Sequence, residues 1–134
     1  MSTLQAFSLV LVAFALLINS VHVDGSQNNN NTTTLNVLYL TAIKGELKDR
    51  QGLAISGAIT MALEEVNNDP NILPNVKLEL YWNDTRGDKV ISTRAITDMI
   101  CEGVAAVFGP EGGCLVEATV THSRNIPMFA YVSS

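Results

Sequence analysis

Residues 104–114, VAAVFGPEGGC, decide how this chain folds. Five apolar residues lead into Gly109 and Pro110, an acidic residue and two further glycines, and a helical pattern begins at Cys114. In α/β domains this layout is typical of a buried strand that runs into a loop at a helix N-terminus, where free backbone N–H groups bind an anion or polar ligand. The same pattern is also typical of a tight strand-to-helix turn that binds nothing.

Three more strands are predicted around this one. The segment Leu35–Ile43 is rich in large apolar residues and favours a strand buried on both faces. The segment Val76–Trp82 alternates apolar and polar residues, as an edge strand does, and Pro127–Val132 begins a fourth strand. Helical periodicity starts at Gln51 and stops at Asn67–Pro70, starts after a capping Asp88 and stops at Gly103, and runs from Cys114 to Ser123.

This alternation of strands and helices predicts an α/β fold of three layers, with helices on both faces of a parallel sheet. The expected strand order is 2-1-3-4, with the switch point between strands 1 and 3. The loops Lys44–Arg50 and Pro110–Cys114 then face each other across a crevice. The candidate ligand contacts in these loops are Lys44, Asp49, Arg50, Glu111 and Gly112. For Asp49 and Arg50, a helix cap and a solvated side chain are the alternatives.

The helical periodicity also predicts which side chains are buried. The apolar face of the first helix comprises Ile55, Ala58, Ile59, Met61, Ala62, Leu63 and Val66, and that of the second comprises Val90, Ile91, Ala95, Ile96, Met99 and Ile100. Gly57, inside the first helix, destabilises it by up to about 1 kcal/mol relative to Ala unless a neighbour needs the space. Trp82 is expected to pack against the fold rather than to form an interface hot spot.

The N-terminus carries the pattern of a secretory signal. Phe7–Ile18 is an uninterrupted apolar run, too short to span a bilayer comfortably, so residues 1–25 are predicted to be a signal peptide. Cleavage is expected after Gly25, with Ser20 as the alternative site, and an uncleaved signal anchor is the alternative to cleavage. Residues 26–34 are predicted to be a disordered polar leader. Secretion makes the sequons at Asn30, Asn31 and Asn83 candidate glycosylation sites.

Charge and composition exclude several classes of function. The formal net charge is −5, and −4 without residues 1–25, so the chain does not suit nucleic acid or an anionic membrane surface. His22 and His122 have no Cys, Asp or Glu cluster with metal-ligand spacing around them, so no metal is expected. No nucleophile elbow, phosphate-binding loop or dinucleotide fingerprint occurs, and the chain is not expected to be an enzyme.

Four segments resemble a known receptor family. They are LNVLYLTAIKGELKDRQGLAISGAITMALEEVNNDPNILPNVKLEL, YWNDTRGD, AAVFGPEGGC and RNIPMFAY. Together they are similar to the start of the extracellular ligand-binding region of receptor guanylyl cyclases, of the natriuretic-peptide-receptor group and insect-like, within the type I periplasmic-binding-protein-like superfamily. The resemblance covers residues 35–134.

The resemblance implies a partial first lobe of a two-lobed, homodimeric receptor that binds an extracellular ligand, with a peptide as the expected ligand, and signals through cyclic GMP. The membrane helix and the cyclase of such a receptor do not occur in this sequence, so we expect either an N-terminal fragment or a truncated product of such a receptor. The resemblance also implies a chloride held by Thr85, Gly113 and Cys114, although two extra residues precede Cys114 here.

The two cysteines, Cys101 and Cys114, are not expected to pair. The second helix should run antiparallel to the strands, which places the two cysteines at opposite edges of the sheet, about 16 Å apart. A disulfide needs Cα atoms within about 7 Å. The position where the family has its partner cysteine is Gly87 in this sequence, so that partner is missing.

Two other functions stay open at this point. A secreted solute-binding or decoy domain would hold a small molecule such as an amino acid in the crevice. A small secreted enzyme of flavodoxin-like shape would need a nucleophile, a base and an orienting residue, and no such triad is visible in the sequence.

Overall fold

A computed structural model of the protein describes residues 32–46, 52–112 and 114–131. These residues contain four strands and three helices in the alternating order that the sequence predicts. The elements are β1 (Thr33–Thr41), α1 (Gly52–Asn68), β2 (Val76–Asp84), α2 (Lys89–Glu102), β3 (Val104–Phe108), α3 (Leu115–His122) and β4 (Met128–Phe129).

The strands form one sheet in the order β2-β1-β3-β4, which confirms the predicted topology and the predicted edge position of β2. β1 pairs with β3 in parallel, with Leu38 opposite Val107 and an irregularity between Asn36 and Val37. β3 pairs with β4 in parallel, with Val107 opposite Met128. The switch point therefore lies between β1 and β3, and the carboxyl ends of the strands share one edge of the sheet.

The chain divides into two compact units. Of the described residues, 32–34 and 58–78 belong to the first unit and the others to the second. In the second unit the core consists of side chains from β1, α2 and β3, which are Leu38, Leu40, Ala95, Ile96, Met99, Val104 and Val107. Ile100, Val120, Ile126 and Met128 pack against this core.

In the first unit the buried side chains are Ile59, Leu63, Val66, Leu73 and Leu78. The three helical positions recur at the spacing that the sequence predicts for an amphipathic helix. Asn67, at the end of α1, forms two hydrogen bonds with the backbone of Leu78. The Asn67 side-chain amide donates to the Leu78 carbonyl over 2.9 Å. The Leu78 N–H in turn donates to the Asn67 side-chain oxygen over 2.8 Å. This pair of bonds fixes the end of the helix against the start of β2.

The caps of α2 match the sequence prediction. The Asp88 carboxylate accepts hydrogen bonds from the N–H groups of Val90 and Ile91, as a helix N-cap does. Gly103 ends the helix in the left-handed conformation with φ 86°. These two residues set the length of α2, and β3 follows directly from the cap.

Three apolar side chains predicted to be buried are exposed. Met61 on α1 is 68% exposed and Val90 on α2 is 66% exposed. Trp82, near the end of the edge strand β2, is 60% exposed, so the prediction that it packs against the fold is wrong. Periodicity identifies the apolar side of an element, but the neighbouring elements decide how wide the covered stripe is.

Several boundaries also differ from the predictions. β1 begins at Thr33, so the last two residues of the predicted leader belong to the sheet. β2 continues through Asn83 and Asp84, past its predicted end at Trp82, and β4 is shorter than predicted. The predicted signal peptide, residues 1–25, lies outside the described residues, as does most of the leader. Within the described part of the chain, no helix combines the length and the apolar character that crossing a membrane requires.

Candidate functional site

The candidate site is the carboxyl end of β1, at the switch point of the sheet. β1 ends at Thr41, so the next backbone N–H group, that of Ala42, leaves the strand ladder. The Glu111 carboxylate, from the loop after β3, accepts this N–H with both oxygens at 3.0 Å. It also accepts the Thr41 hydroxyl over 2.8 Å. Thr41 and Ala42 are buried, and Glu111 is half-buried. A side chain of the protein therefore satisfies the donors at the switch point.

A second carboxylate fixes the other side of the β1 loop. One oxygen of Asp84, the last residue of β2, accepts the N–H groups of Ile43 at 2.9 Å, Lys44 at 3.2 Å and Arg86 at 3.2 Å. Burial alone would raise the pKa of Asp84, but these backbone bonds and the charge of Arg86 lower it below the usual 3.8. The Asp84 carboxylate therefore links the loop after β1 to the turn after β2 through hydrogen bonds.

Close backbone packing at this edge depends on Gly109. Its φ of 93° lies in the left-handed region. A Cβ atom added to Gly109 would overlap the carbonyl oxygen of Leu40 on the neighbouring strand. The N–H of Gly109 donates to the Phe129 carbonyl over 2.8 Å, which ties the loop to β4 as well. Glycine here lets the loop that carries Glu111 lie against β1.

Two tyrosines extend the polar network towards β4. The Tyr131 hydroxyl lies 3.1 Å from the Leu40 carbonyl oxygen and 3.4 Å from the Tyr39 hydroxyl oxygen. Burial raises the pKa of Tyr131 far above its ordinary value, and Tyr39 and the charge of Glu111 raise it further. Tyr131 therefore stays neutral and acts as a hydrogen-bonding group rather than as a base.

The structure brings together part of the predicted crevice. Glu111 lies at the switch point, and the backbone of Lys44 joins the same edge through Asp84. Gly112 is half-buried with φ 85°, beside Glu111. Asp49 and Arg50 lie outside the described residues, so their predicted roles stay predictions. Glu111 differs from the expectation in one respect, since its carboxylate is already bonded to the protein.

The residues implied for a chloride site are only partly described. Thr85 is buried, and its hydroxyl oxygen accepts the Gly87 N–H over 3.3 Å. Cys114 is the N-cap of α3, and its side chain makes no capping hydrogen bond. Gly113 lies outside the described residues.

Sequence reasoning missed a buried polar pair between α2 and α3. Ser92 and Glu117 are both fully buried, and the Ser92 hydroxyl is hydrogen-bonded to one oxygen of the Glu117 carboxylate. That hydroxyl also lies 3.0 Å from the Lys89 carbonyl oxygen. The other Glu117 oxygen, Oε2, has no partner among the residues that the structure describes. An acid in the first turn of a helix normally signals an exposed position near the dipole, and nothing local marks this one as buried.

The remaining candidates from the sequence do not form clusters. Cys101 is exposed, Cys114 is half-buried, and both are free thiols in the structure. Asn83, the sequon within the described residues, is half-buried near the end of β2, while Asn30 and Asn31 lie outside them. His122 is exposed in the last turn of α3, where a histidine complements the helix dipole. Among residues 32–46, 52–112 and 114–131, no group of acidic, histidine or cysteine side chains could hold a metal ion.

The chemistry of the site is that of recognition and positioning. The two carboxylates accept backbone N–H groups, and the Tyr131 hydroxyl stays neutral. The arrangement holds the three loops of the carboxyl edge in one geometry, which is what a binding surface requires.

Comparison with known proteins gives the family. A family model described as the receptor family ligand binding region matches residues 54–134. A receptor-type guanylate cyclase of Drosophila melanogaster is 64% identical over 116 residues, which are 87% of this chain and 8% of that protein. The speract receptor of Strongylocentrotus purpuratus is 36% identical over 81 residues, 60% of this chain and 7% of that receptor. The resact receptor of Arbacia punctulata is 34% identical over 80 residues, 60% of this chain and 8% of that receptor.

The chain spans less than a tenth of the length of these relatives. The matched family model is that of the ligand-binding region of such receptors. The strand order and the parallel pairing agree with a partial periplasmic-binding-protein-like lobe. The chain therefore belongs to the receptor ligand-binding-region family, as an extracellular ligand-binding region of the receptor guanylyl cyclase type.

Proposed function

We propose that the chain is the first part of a sensor that binds a peptide outside the cell and controls the production of cyclic GMP by a cyclase domain elsewhere in the receptor. The observation that carries this proposal is the 64% identity over 116 residues to a receptor-type guanylate cyclase. Identity at this level over most of the chain supports a shared role as well as a shared fold.

The geometry at the switch point supports a peptide over a small free carboxylate such as an amino acid. In a solute-binding domain, the backbone N–H groups at the ends of the strands would bind the ligand carboxylate. Here the Ala42 N–H and the Thr41 hydroxyl are already bonded to Glu111. A ligand that uses a larger surface does not need these two donors.

A chimeric receptor tests the proposal. Residues 35–134 replace the matching segment of the Drosophila receptor-type guanylate cyclase, and cellular cyclic GMP is measured while tissue extract from the source animal is added. We expect the extract to raise cyclic GMP and protease treatment of the extract to abolish the effect. A chimera that carries Ile96→Asp, which disrupts a fully buried core position, is the matched control for a folded segment.

Two outcomes would contradict the proposal. A chimera that reaches the cell surface but gives no cyclic GMP response to any extract, while the parent receptor responds to its own, would argue against a receptor role. A response that survives protease treatment and follows free amino acids would instead favour the solute-binding alternative. Isothermal titration of the purified chain with amino acids gives a second measurement of that alternative.

The proposal includes secretion, glycosylation and homodimer formation. The apolar run Phe7–Ile18 supports entry into the secretory pathway, with the mature region on the outer face of the plasma membrane. Treatment of the secreted protein with a glycosidase, with Asn30→Gln, Asn31→Gln and Asn83→Gln variants, measures which sequons are used. Sedimentation of the receptor ectodomain measures whether it forms a homodimer.

A bound chloride is also part of the proposal. Thr85 and the uncapped first turn of α3 support it, with Gly113 and Cys114 supplying the backbone groups. Thermal unfolding at constant ionic strength, with chloride exchanged for gluconate, is expected to show a chloride-dependent rise in Tm. Thr85→Val removes the hydroxyl and should remove that rise, whereas an equal rise in both proteins would exclude this site.

A further inference from the structure

The Glu111 side chain occupies the place where an open α/β sheet normally binds its ligand. Its carboxylate lies at the carboxyl ends of β1 and β3, where the strand order reverses. Its contacts are one backbone N–H and one hydroxyl, which are the donors that such a crevice offers to an anionic ligand. Both donors belong to buried residues, Thr41 at 1% and Ala42 at 0% exposure.

The surroundings of Glu111 are built to receive a carboxylate. The Ala42 N–H donates to both carboxylate oxygens, and the Thr41 hydroxyl donates to one of them. Gly109 allows the loop to lie against Leu40, so that Glu111 reaches across from β3 to β1. If Glu111 were absent, the buried Ala42 N–H would lack its acceptor, and leaving a buried donor unpaired is unfavourable.

We propose that Glu111 is an internal carboxylate ligand, which closes the crevice between β1 and β3 to free carboxylates and leaves a latent carboxylate site when it is removed. The site takes a small monocarboxylate in place of the side chain, with the Thr41 hydroxyl and the Ala42 N–H as its donors. This inference concerns only the carboxyl edge of the sheet, and it holds whether or not the receptor ligand is a peptide.

Chemical rescue tests the inference on the full chain. Glu111→Ala is expected to raise the unfolding equilibrium constant about 30-fold, because a buried N–H and a buried hydroxyl lose a charged acceptor. Sodium acetate at about 100 mM, against sodium chloride at equal ionic strength, should then lower that constant at least about tenfold with saturation, a gain that corresponds to acetate well above its Kd. The wild-type chain should show no such acetate effect.

Glu79→Ala is the matched control, because Glu79 is an exposed acid on β2 with no role at the crevice. It should be insensitive to acetate. Acetate that stabilises the wild-type chain and Glu111→Ala equally, or that fails to stabilise Glu111→Ala at all, would overturn the inference.

A second measurement decides the question if Glu111→Ala does not fold. Glu111→Gln keeps the shape of the side chain but removes its charge, and hydrogen exchange of the Ala42 amide reports on the bond directly. We expect exchange at Ala42 to be at least about tenfold faster in Glu111→Gln, since a neutral acceptor forms a weaker bond than a carboxylate. Equal exchange rates at Ala42 in both proteins would show that Glu111 is not its ligand.

Discussion

Glu111 lies in the loop after β3 and Glu117 lies in the first turn of α3, and their carboxylates have opposite surroundings. Glu111 accepts three hydrogen bonds from two groups at the end of β1. Glu117 is fully buried, and one of its oxygens has no partner among the described residues. In this fold, an acidic side chain stabilises the structure when its carboxylate accepts hydrogen bonds from backbone N–H groups. Glu117 is bonded to Ser92 through one oxygen only, so the cost of removing its carboxylate from water is weakly compensated.

The largest expected effect concerns the glycine that brings Glu111 into place. Gly109→Ala should lower the free energy of unfolding by about 3 kcal/mol or more, because its Cβ would overlap the Leu40 carbonyl oxygen and its φ is 93°. Urea unfolding followed by circular dichroism measures the change.

Gly112→Ala is the matched control in the same loop. Gly112 has φ 85°, but a Cβ there would meet nothing within 4 Å. Gly112→Ala should therefore lower the free energy of unfolding by only about 1 kcal/mol, from the left-handed backbone alone. Equal losses for the two variants would mean that close contact with β1 is not what requires Gly109.

The next largest effect concerns the second carboxylate at this edge of the sheet, that of Asp84. Asp84→Asn should lower the free energy of unfolding by about 1–2 kcal/mol near neutral pH, because three backbone N–H groups lose a charged acceptor on a half-buried side chain. Thermal unfolding of both proteins across pH measures the contribution.

The pKa of Asp84 also fixes the direction of the pH dependence. The pKa is lowered in the folded protein, below the ordinary value of 3.8. Just below pH 3.8 the unfolded chain therefore binds more protons than the folded one, and stability falls as the pH falls. The stability difference between wild type and Asp84→Asn should be complete above this pH and shrink in more acidic solution. A difference that grows in acid would contradict the assignment.

Glu117 is expected to behave in the opposite way. Glu117→Met replaces a buried carboxylate by an apolar side chain of similar length, while Ser92 keeps the Lys89 carbonyl oxygen as an acceptor. The free energy of unfolding should stay the same or rise by about 1 kcal/mol. A loss greater than about 2 kcal/mol in urea unfolding would show that the buried carboxylate is well satisfied, and the comparison with Glu111 would fail.

Gly57→Ala is expected to change the free energy of unfolding least among these substitutions. Gly57 lies inside α1, is exposed, and has nothing within 4 Å of a Cβ position. No contact with the described residues therefore requires glycine there, and alanine should stabilise the chain by about 0.5–1 kcal/mol. A loss of stability in the same urea experiment would reveal a neighbour that the described contacts lack.

The sequence predicts the strands, helices and strand order of this fold better than it predicts the hydrogen bonds of the candidate site. β1, β3 and the order of the strands follow from apolar runs and short connections, and Asp88 and Gly103 mark the ends of α2 through local chemistry. Each of these signals lies within a few residues of the structure that it predicts.

The interactions of the site join residues that are far apart in the chain. Thr41 and Glu111 are separated by 70 positions, Ile43 and Asp84 by 41, and Ser92 and Glu117 by 25. The sequence marks Glu111 as a residue of the crevice loop but gives no sign that its partner is Ala42. In the sequence, Asp84 is recognisable only as the middle residue of a sequon, with no sign of its backbone partners. Such partners depend on how the strands pair, which local patterns do not encode.

The measurement that tests the central claim most directly is a double-mutant cycle between Thr41 and Glu111. Thr41→Val, Glu111→Ala and the double variant are compared with wild type by urea unfolding. If Glu111 is bonded to the end of β1, the two changes should be coupled by about 1.5 kcal/mol, because the second removes a charged bond that the first has already broken. Changes that add to within about 0.3 kcal/mol would show that the Glu111 carboxylate does not bind Thr41.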